Sequence, residues 1–403
     1  MIVRRFLLWA RHAPAGHRAE AVGALARAFI EGELAPADHA EAQTALTVML
    51  DDPSVLVRRA MAENLGASPQ APPHIIVALA SDDSEVAVPV LAHSPLLADC
   101  DLVDCAALGD ERAQIAIAQR GVVSPAVSAA LAEIAPLPVL VTLARNPGAD
   151  IAPFSLARMI ERFGAEARLC EALLARPGLP VEIAQTIAAT LAETFGSYAT
   201  GSGLLSAERS GRFTREARER ATIALSAQIG ADDMARLVAH LRRSGQLNTG
   251  LILRALLSRS IQFVETAFAD LSGHPHRRVA AILRDPHAGG FRALYGRTGM
   301  PDSLRAAFEA GIAALGQTRD EAGETSRLSR PMIGHVLAAC GGMPAELSGR
   351  LVATLRRLEV EAAVDEAHGA ASAMADDAAL AIVLRHAPEE LIVDRSQGKL
   401  IAA

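Results

Sequence analysis

The sequence predicts an all-α protein, a right-handed solenoid of antiparallel helix pairs followed by a helical C-terminal half. Three observations carry this expectation. Hydrophobic residues make up 51% of the chain but aromatics only 3%, which suits helices packed closely through Ala and Leu rather than sheets. Apolar positions recur at helical spacing between frequent Pro and Asp punctuation, and strand-like alternation is absent from the first half. At 403 residues the chain exceeds the size at which one compact core keeps growing, so several domains or a repeat array are expected.

From residue 18 to about 195, short helical patterns follow one another every 12–18 residues. Asp52-Pro53, Ser94-Pro95, Ser124-Pro125 and Asn146-Pro147 each offer a side-chain acceptor for an N-cap and a proline for the first helical position. Asp83 and Asp110 read as caps without the proline, and Pro180 as a first-turn proline without the cap. Such punctuation limits each helix to three or four turns. Val57, Ala60, Met61 and Leu65 form one apolar stripe; Ala184, Ile187, Ala188, Leu191 and Phe195 form another. Starts at Asp52, Asp83, Asp110 and Asn146 stand 31, 27 and 36 residues apart, which fits a two-helix unit of drifting length. Neither helix of such a unit hides its stripe alone, so neighbours must stack.

The Gly- and Ser-rich stretch 196–213 lacks periodicity and reads as a linker between an array over 1–195 and a helical, repeat-like domain over 214–390. Beyond it, helical patterns cover 214–229, 231–243, 248–271, 275–284, 301–315, 330–339 and 345–366, with Leu351, Leu355 and Leu358 on one face. Residues 316–330 read as a polar exposed loop, and 391–403 as an unanchored tail.

Charge narrows the function classes. Residues 1–195 carry 14 Arg against 23 acids, and residues 196–403 carry 25 Lys and Arg against 23, so neither half has the positive field that phosphate neutralisation demands. Nucleic acid is therefore disfavoured as a partner. Cys100, Cys105, Cys170 and Cys340 are too scattered for a disulfide framework or a zinc site, and read as buried thiols. Near the start, Phe6 to Ala10 is an apolar run broken by Arg11, too short for a secretory core, and no later stretch could span a bilayer. A cytoplasmic location is expected.

The segment Asp51-Asp52-Pro53-Ser54-Val55-Leu56-Val57-Arg58-Arg59-Ala60 resembles the pattern of HEAT repeats, in which an acid-Pro start is followed by Val-Arg. That resemblance implies a HEAT-like α-α superhelix in which Asp52 and Arg58 belong to a structural ladder between adjacent repeats. Together with Val86-Ala87, Val90-Leu91, Ser94 to Leu97, Asp101 to Val103 and Ala116 to Arg120, the segment is similar to the bacterial family known as domain of unknown function 2336. The similarity extends over about residues 18–320 and is most specific between 51 and 120. It implies a helical solenoid and no established enzymatic activity. Ile151-Ala152-Pro153 stands where a later Val-Arg would recur, a departure from the pattern.

No catalytic apparatus emerges. The acidic pairs Asp51-Asp52, Asp82-Asp83, Asp101 with Asp104, and Asp110-Glu111 sit at helix starts, where first-turn N–H groups and the macrodipole stabilise carboxylates. His274, His276 and His287 lack the i, i+4 spacing of a helical metal site and read as solvated loop residues. No nucleophile elbow, dinucleotide fingerprint or phosphate loop occurs. Arginine pairs at Arg58-Arg59, Arg242-Arg243, Arg277-Arg278 and Arg356-Arg357, with Arg215, Arg218 and Arg220 on one segment, read first as solvated helix surface. Arg242, Arg243, Arg277 and Arg278 are the candidates for a patch that meets an acidic partner. The expected function is a non-enzymatic interaction scaffold or regulatory adaptor, with no catalytic residues, no cofactor and no metal, whose partner is another protein. The alternative is a HEAT-like nucleic-acid-binding protein or DNA glycosylase, which would need positive potential and aromatic platforms. The Leu351, Leu355 and Leu358 stripe could also serve a homodimer, although an intramolecular core explains it more simply.

Overall fold

The computed structural model describes residues 2–32, 34–285, 289–317, 327–341, 345–386, 391–394 and 399–402. Apart from a terminal hairpin, the described chain is all-α. It divides into two compact units, Met1–Ser210 and Gly211–Ala403.

The first unit begins with α1 (Ile2–Ala10), α2 (Ala15–Glu31) and α3 (Pro36–Val48). Short helices follow: α4 (Val55–Leu65), α5 (Pro73–Ala80), α6 (Ser84–His93), α7 (Asp99–Leu108) and α8 (Glu111–Ala118). Then come α9 (Pro125–Ile134), α10 (Leu137–Arg145), α11 (Pro153–Phe163), α12 (Ala167–Leu174) and the longer α13 (Val181–Gly201). Helices α4 to α12 hold only 8 to 11 residues, two to three turns rather than the three or four expected. Helices this short are not stable alone and depend on packing of their apolar faces.

That packing is serial. Each even-numbered helix lies on the next but one: α2 on α4, α4 on α6, α6 on α8, α8 on α10 and α10 on α12. On the other side α7 packs on α9, α9 on α11 and α11 on α13, while α5 is held between α4 and α6. The buried core runs continuously from Val22 through Met61, Ile76, Leu91, Ile117, Leu140 and Leu173 to Ile187. It is built almost entirely of aliphatic side chains, among which each fully buried Val, Leu, Ile or Met is worth about 1.5–3 kcal/mol.

Several local expectations need correction. Ser124 caps α9 through Val127 N–H, and Asp110 caps α8 through Ala113 N–H. Ser94 and Asn146 instead close α6 and α10, and the next helices begin only at Asp99 and Pro153. Asp52 closes a 3-10 turn three residues before the start of α4. A proline after a polar residue is equally at home in a turn, where its fixed φ starts the reversal. Asp83 occupies the N-cap of α6 without a side-chain bond to it. Val57, Met61 and Leu65 are fully buried, but of the second stripe only Ile187 is. Helix α13 buries Val181, Ile183, Gln185 and Ala189 as well, so it is covered on more than one side, and Phe195 stays exposed.

The stretch 196–213, expected as a linker, is helical except at 202–206. Gly196 and Ala199 are buried, and Ser210 Oγ donates to Gly196 C=O at 2.6 Å. Small residues there let the chain pack closely instead of loosening it. The next helix, α14 (Ala207–Ser226), crosses the unit boundary.

The second unit continues with α15 (Ala231–Arg243), α16 (Thr249–Leu257), α17 (Ile261–Ser272), α18 (His276–Arg284), α19 (Gly290–Arg297), α20 (Arg305–Gln317), α21 (Arg330–Cys340) and α22 (Ala345–His386). Helix α17 packs on α15, α16, α18 and α19, so the two-sided order of the first unit is not kept. Its centre is aromatic: Phe268 meets Phe291, Tyr295 and Phe308 at centroid distances of 5.9, 6.4 and 5.9 Å. Burial raises the Tyr295 phenol to about 12, and its hydroxyl donates to Pro301 C=O at 2.8 Å.

The pattern over 248–271 is two helices, because Arg259 adopts φ 60 and closes α16. Its N–H donates to Leu256 C=O and Ser260 N–H to Ala255 C=O, a Schellman closure without glycine. Helix α19 is unanticipated, since Gly-rich flanks masked its two turns. Residues 318–326 of the expected polar loop lie outside the described residues. Leu391–Asp394 and Lys399–Ala402 pair as an antiparallel hairpin within the expected tail, where the run Leu391-Ile392-Val393 carries β-branched residues suited to a strand. Leu351, Leu355 and Leu358 are buried in the unit's own core, so that stripe is not available to a second copy.

Candidate functional site

Two constellations of charged side chains stand out. In the first unit, arginines and one asparagine tie successive helix pairs together. Arg18 grips both oxygens of Asp52 at 2.8 Å. Arg58 donates to the backbone carbonyl of Asp52 at 2.7 Å and to both oxygens of Asp82 at 2.6 and 2.9 Å. Asp52 also accepts from Ser54 N–H at 2.9 Å. Its burial would raise the carboxyl, but the Arg18 and Ser54 hydrogen bonds outweigh that and hold it below the usual carboxylate range.

Further along, the donors turn to backbone carbonyls. Arg120 reaches Leu91 and Ser94 C=O at 2.6 and 2.7 Å. Asn146 Nδ2 donates to Ala118 and Arg120 C=O at 2.8 and 2.7 Å. Arg176 donates to the carbonyls of Ala144, Asn146 and Ala149 at 2.8, 2.9 and 2.7 Å. These side chains supply the partners that helix C-termini lack. Their reach along the sequence, 24 to 34 residues, is one helix pair. Burial lowers both Arg120 and Arg176 from their ordinary values. The acidic pairs divide accordingly: Asp110 caps, Asp101 accepts from Ala98 N–H at 2.9 Å, and Asp52 and Asp82 hold arginines.

The second constellation is a cleft of about 820 Å³ in the second unit, between α14, α16 and α22. At its floor Arg254 is 2% exposed and grips both oxygens of Glu361 at 2.7 and 2.9 Å. Arg220 reaches the same carboxylate at 2.7 Å, and Glu219 Oε2 stands 3.5 Å from Arg254 Nε. Burial favours a raised Glu361, yet hydrogen bonds from Arg254 and Arg220 overcome it and the carboxyl lies below its ordinary value. Burial dominates at Glu219, whose carboxyl is raised despite Arg254 and Arg215. A single buried arginine thus splits two glutamates into one firmly ionised and one held toward its neutral form. The rim carries exposed Arg215 and Arg357, and Val360 and Val364 form an exposed strip on α22. No Phe, Tyr or Trp lines the cleft among the described residues.

Sequence reasoning noticed the Arg215 to Arg220 segment and the Arg356-Arg357 pair without bringing them together; the fold does so across more than 130 residues. It missed Arg254, Glu219 and Glu361, because a lone arginine in the apolar run Leu251 to Leu257 carries no local motif. That run was itself the signal, since a charge amid seven buried helical positions must find a partner.

The proposed patch residues sit elsewhere in the second unit. Arg242 and Arg243 are exposed at the end of α15, with Arg242 held 3.1 Å from Asp270 on α17. Arg277 and Arg278 are exposed at the start of α18, just beyond the end of α17. His276 Nε2 lies 3.5 Å from Glu265, so acids already answer part of this corner. Burial lowers His274, with Arg278 and Arg297 acting the same way. His287 lies outside the described residues. Among the described residues no group of three or more His, Cys, Asp or Glu could hold a metal ion, and no helix is long and apolar enough to cross a membrane. Cys170 and Cys340 are buried, but Cys105 is half-buried and Cys100 exposed at the first turn of α7, against the expectation that all four are hidden.

Short helices packed in series and cross-tied through their carbonyl ends define an all-helical protein whose first unit has sequential helix-pair contacts consistent with a repeat. The chain belongs to the bacterial family described as "Uncharacterised protein conserved in bacteria (DUF2336)", whose family model matches residues 86–346, more than half of the chain. The match begins at Val86, so the Asp51 to Ala60 segment lies outside it. No curated protein and no solved structure matches the chain.

Proposed function

We propose that this protein is a non-enzymatic interaction scaffold or adaptor acting in the cytoplasm, its first unit a HEAT-like right-handed superhelix that holds another protein. The observation that carries the proposal is the next-but-one packing from α2 to α12 together with ties that recur about every helix pair. Stacked pairs that rotate slightly present a long concave face, and such faces serve binding rather than chemistry. The polar clusters support the same reading. The ladder residues bind one another and backbone carbonyls, and at the cleft floor Arg254 and Arg220 are both engaged by Glu361. A DNA glycosylase gains no such support, because Tyr295 is buried in the aromatic core and no Phe, Tyr or Trp lines the cleft among the described residues. The test is affinity capture of the full chain from its source cells with cross-linking and mass spectrometry. A stoichiometric protein partner cross-linked to the first unit is expected. Repeated recovery of the bait alone, at native expression level, would remove the proposal.

A further inference from the structure

We propose that the cleft between α14, α16 and α22 docks an acidic amphipathic helix of a partner protein. This rests on the scaffold reading and adds the chemistry of what is held. Val360 and Val364 are 64% and 47% exposed, one turn apart on α22, with nearly buried Leu253 and Leu358 beside them in the cleft wall. Single exposed valines are ordinary, but here two share one wall of a concave surface, about 6 Å apart along the helix axis. Such a strip accepts the i, i+4 side chains of a helix laid into a groove.

The rim sets the charge of the occupant. Arg254 and Arg220 are spent on Glu361, so they stiffen the floor. Arg215 on α14 and Arg357 on α22 are exposed and line the same cleft; the side-chain bond that Arg357 makes is to Thr354 Oγ1 at 3.2 Å. Two guanidinium groups flanking an apolar strip match a helix whose apolar stripe is bordered by Asp or Glu, since guanidinium pairs carboxylate in a bidentate fork. Other occupants fit less well. A wall that leaves Val360 64% exposed does not enclose a small metabolite, whose sites bury most of the ligand. A nucleic-acid strand would find no Phe, Tyr or Trp to stack on in the described lining.

The full-length protein is titrated into a rhodamine-labelled helical peptide of about 18 residues, leucines forming its stripe and glutamates bordering it, at about 50 mM salt, where the Debye length exceeds 10 Å. Its anisotropy is compared with two sister peptides, one with lysine for glutamate and one with serine for leucine, and with oligothymidylate of similar length. The Glu/Leu peptide is expected to bind at least about tenfold more tightly than all three, as two lost charge pairs or a lost apolar face would require. The Arg215→Gln, Arg357→Gln double variant and the Val360→Ser, Val364→Ser double variant each lose about tenfold, while their helical circular dichroism at the assay temperature stays that of the parent because all four side chains are exposed. Arg292→Glu, exposed on α19 and away from the cleft lining, binds as the parent does. No binding at millimolar protein, equal binding of the lysine peptide or of oligothymidylate, or cleft variants that bind like the parent would each overturn the assignment. Should the cleft fail while capture still returns a partner cross-linked away from α14 and α22, the scaffold reading stands without it.

Discussion

At the scale of single residues, the second unit turns on one buried guanidinium. Arg254 is almost wholly enclosed, and removing it would strand Glu361 and Glu219 together, a change of the kind that costs about 3–5 kcal/mol. Glu219 gives a gentler handle. Its folded carboxyl titrates above its unfolded value, so the wild-type chain loses stability as pH rises from the unfolded carboxylate range through the folded one. Glu361 has the opposite sign: its contribution is present above the unfolded value and is lost as pH falls through the lowered folded one. Glu361 is common to parent and variant and cancels in their difference. Glu219→Gln is therefore expected to match the parent in acid and to melt on the order of 2 °C higher near pH 8. Thermal melts at closely spaced pH values check this, and an unchanged or lower melting point at pH 8 would contradict it.

At the scale of elements, the ties between helix pairs decide what was legible beforehand. The Asp-Pro start and Val57-Arg58 identify a repeat-like segment, and Arg58 binds Asp52 and Asp82. Arg176 could not be recognised, because a side chain that answers three carbonyls of a distant turn leaves no pattern beside it. Helix type was readable from spacing, yet helix ends were not: Ser94 and Asn146 have the chemistry of N-caps and serve as C-caps, a choice made by the neighbouring pair. The cleft was half visible, its rim arginines noticed in two separate places and its floor hidden inside an apolar run. Arg176→Ala should cost about 2–3 kcal/mol, since it removes the side-chain donor from the carbonyls of Ala144 at the end of α10 and Ala149 in the loop after it. Arg176→Lys recovers only part, because one ammonium cannot span the carbonyls from Ala144 to Ala149 as the planar fork does. Urea melts of the two variants separate these outcomes, and equal stability of Arg176→Ala and parent would exclude the tie as a source of stability.

At the scale of the molecule, a series of pairs that touch only their neighbours behaves differently from a single globule. Stability is then a sum of local and nearest-neighbour terms, so damage stays near its origin. Gly148 offers a place to inflict it. Val123 N–H donates to Gly148 C=O at 3.1 Å and Asp150 N–H to Val123 C=O at 2.9 Å, and a Cβ at Gly148 would stand 1.9 Å from Gly121 C=O. Gly148→Ala therefore forces apart the turns that follow α8 and α10. The most direct measurement of serial packing is native-state hydrogen exchange of this variant, read by mass spectrometry along the first unit. Protection should fall across α8 to α11 and stay at the parent level in α2 to α4. Uniform loss of protection from α2 to α13 would show one cooperative core and contradict the repeat array.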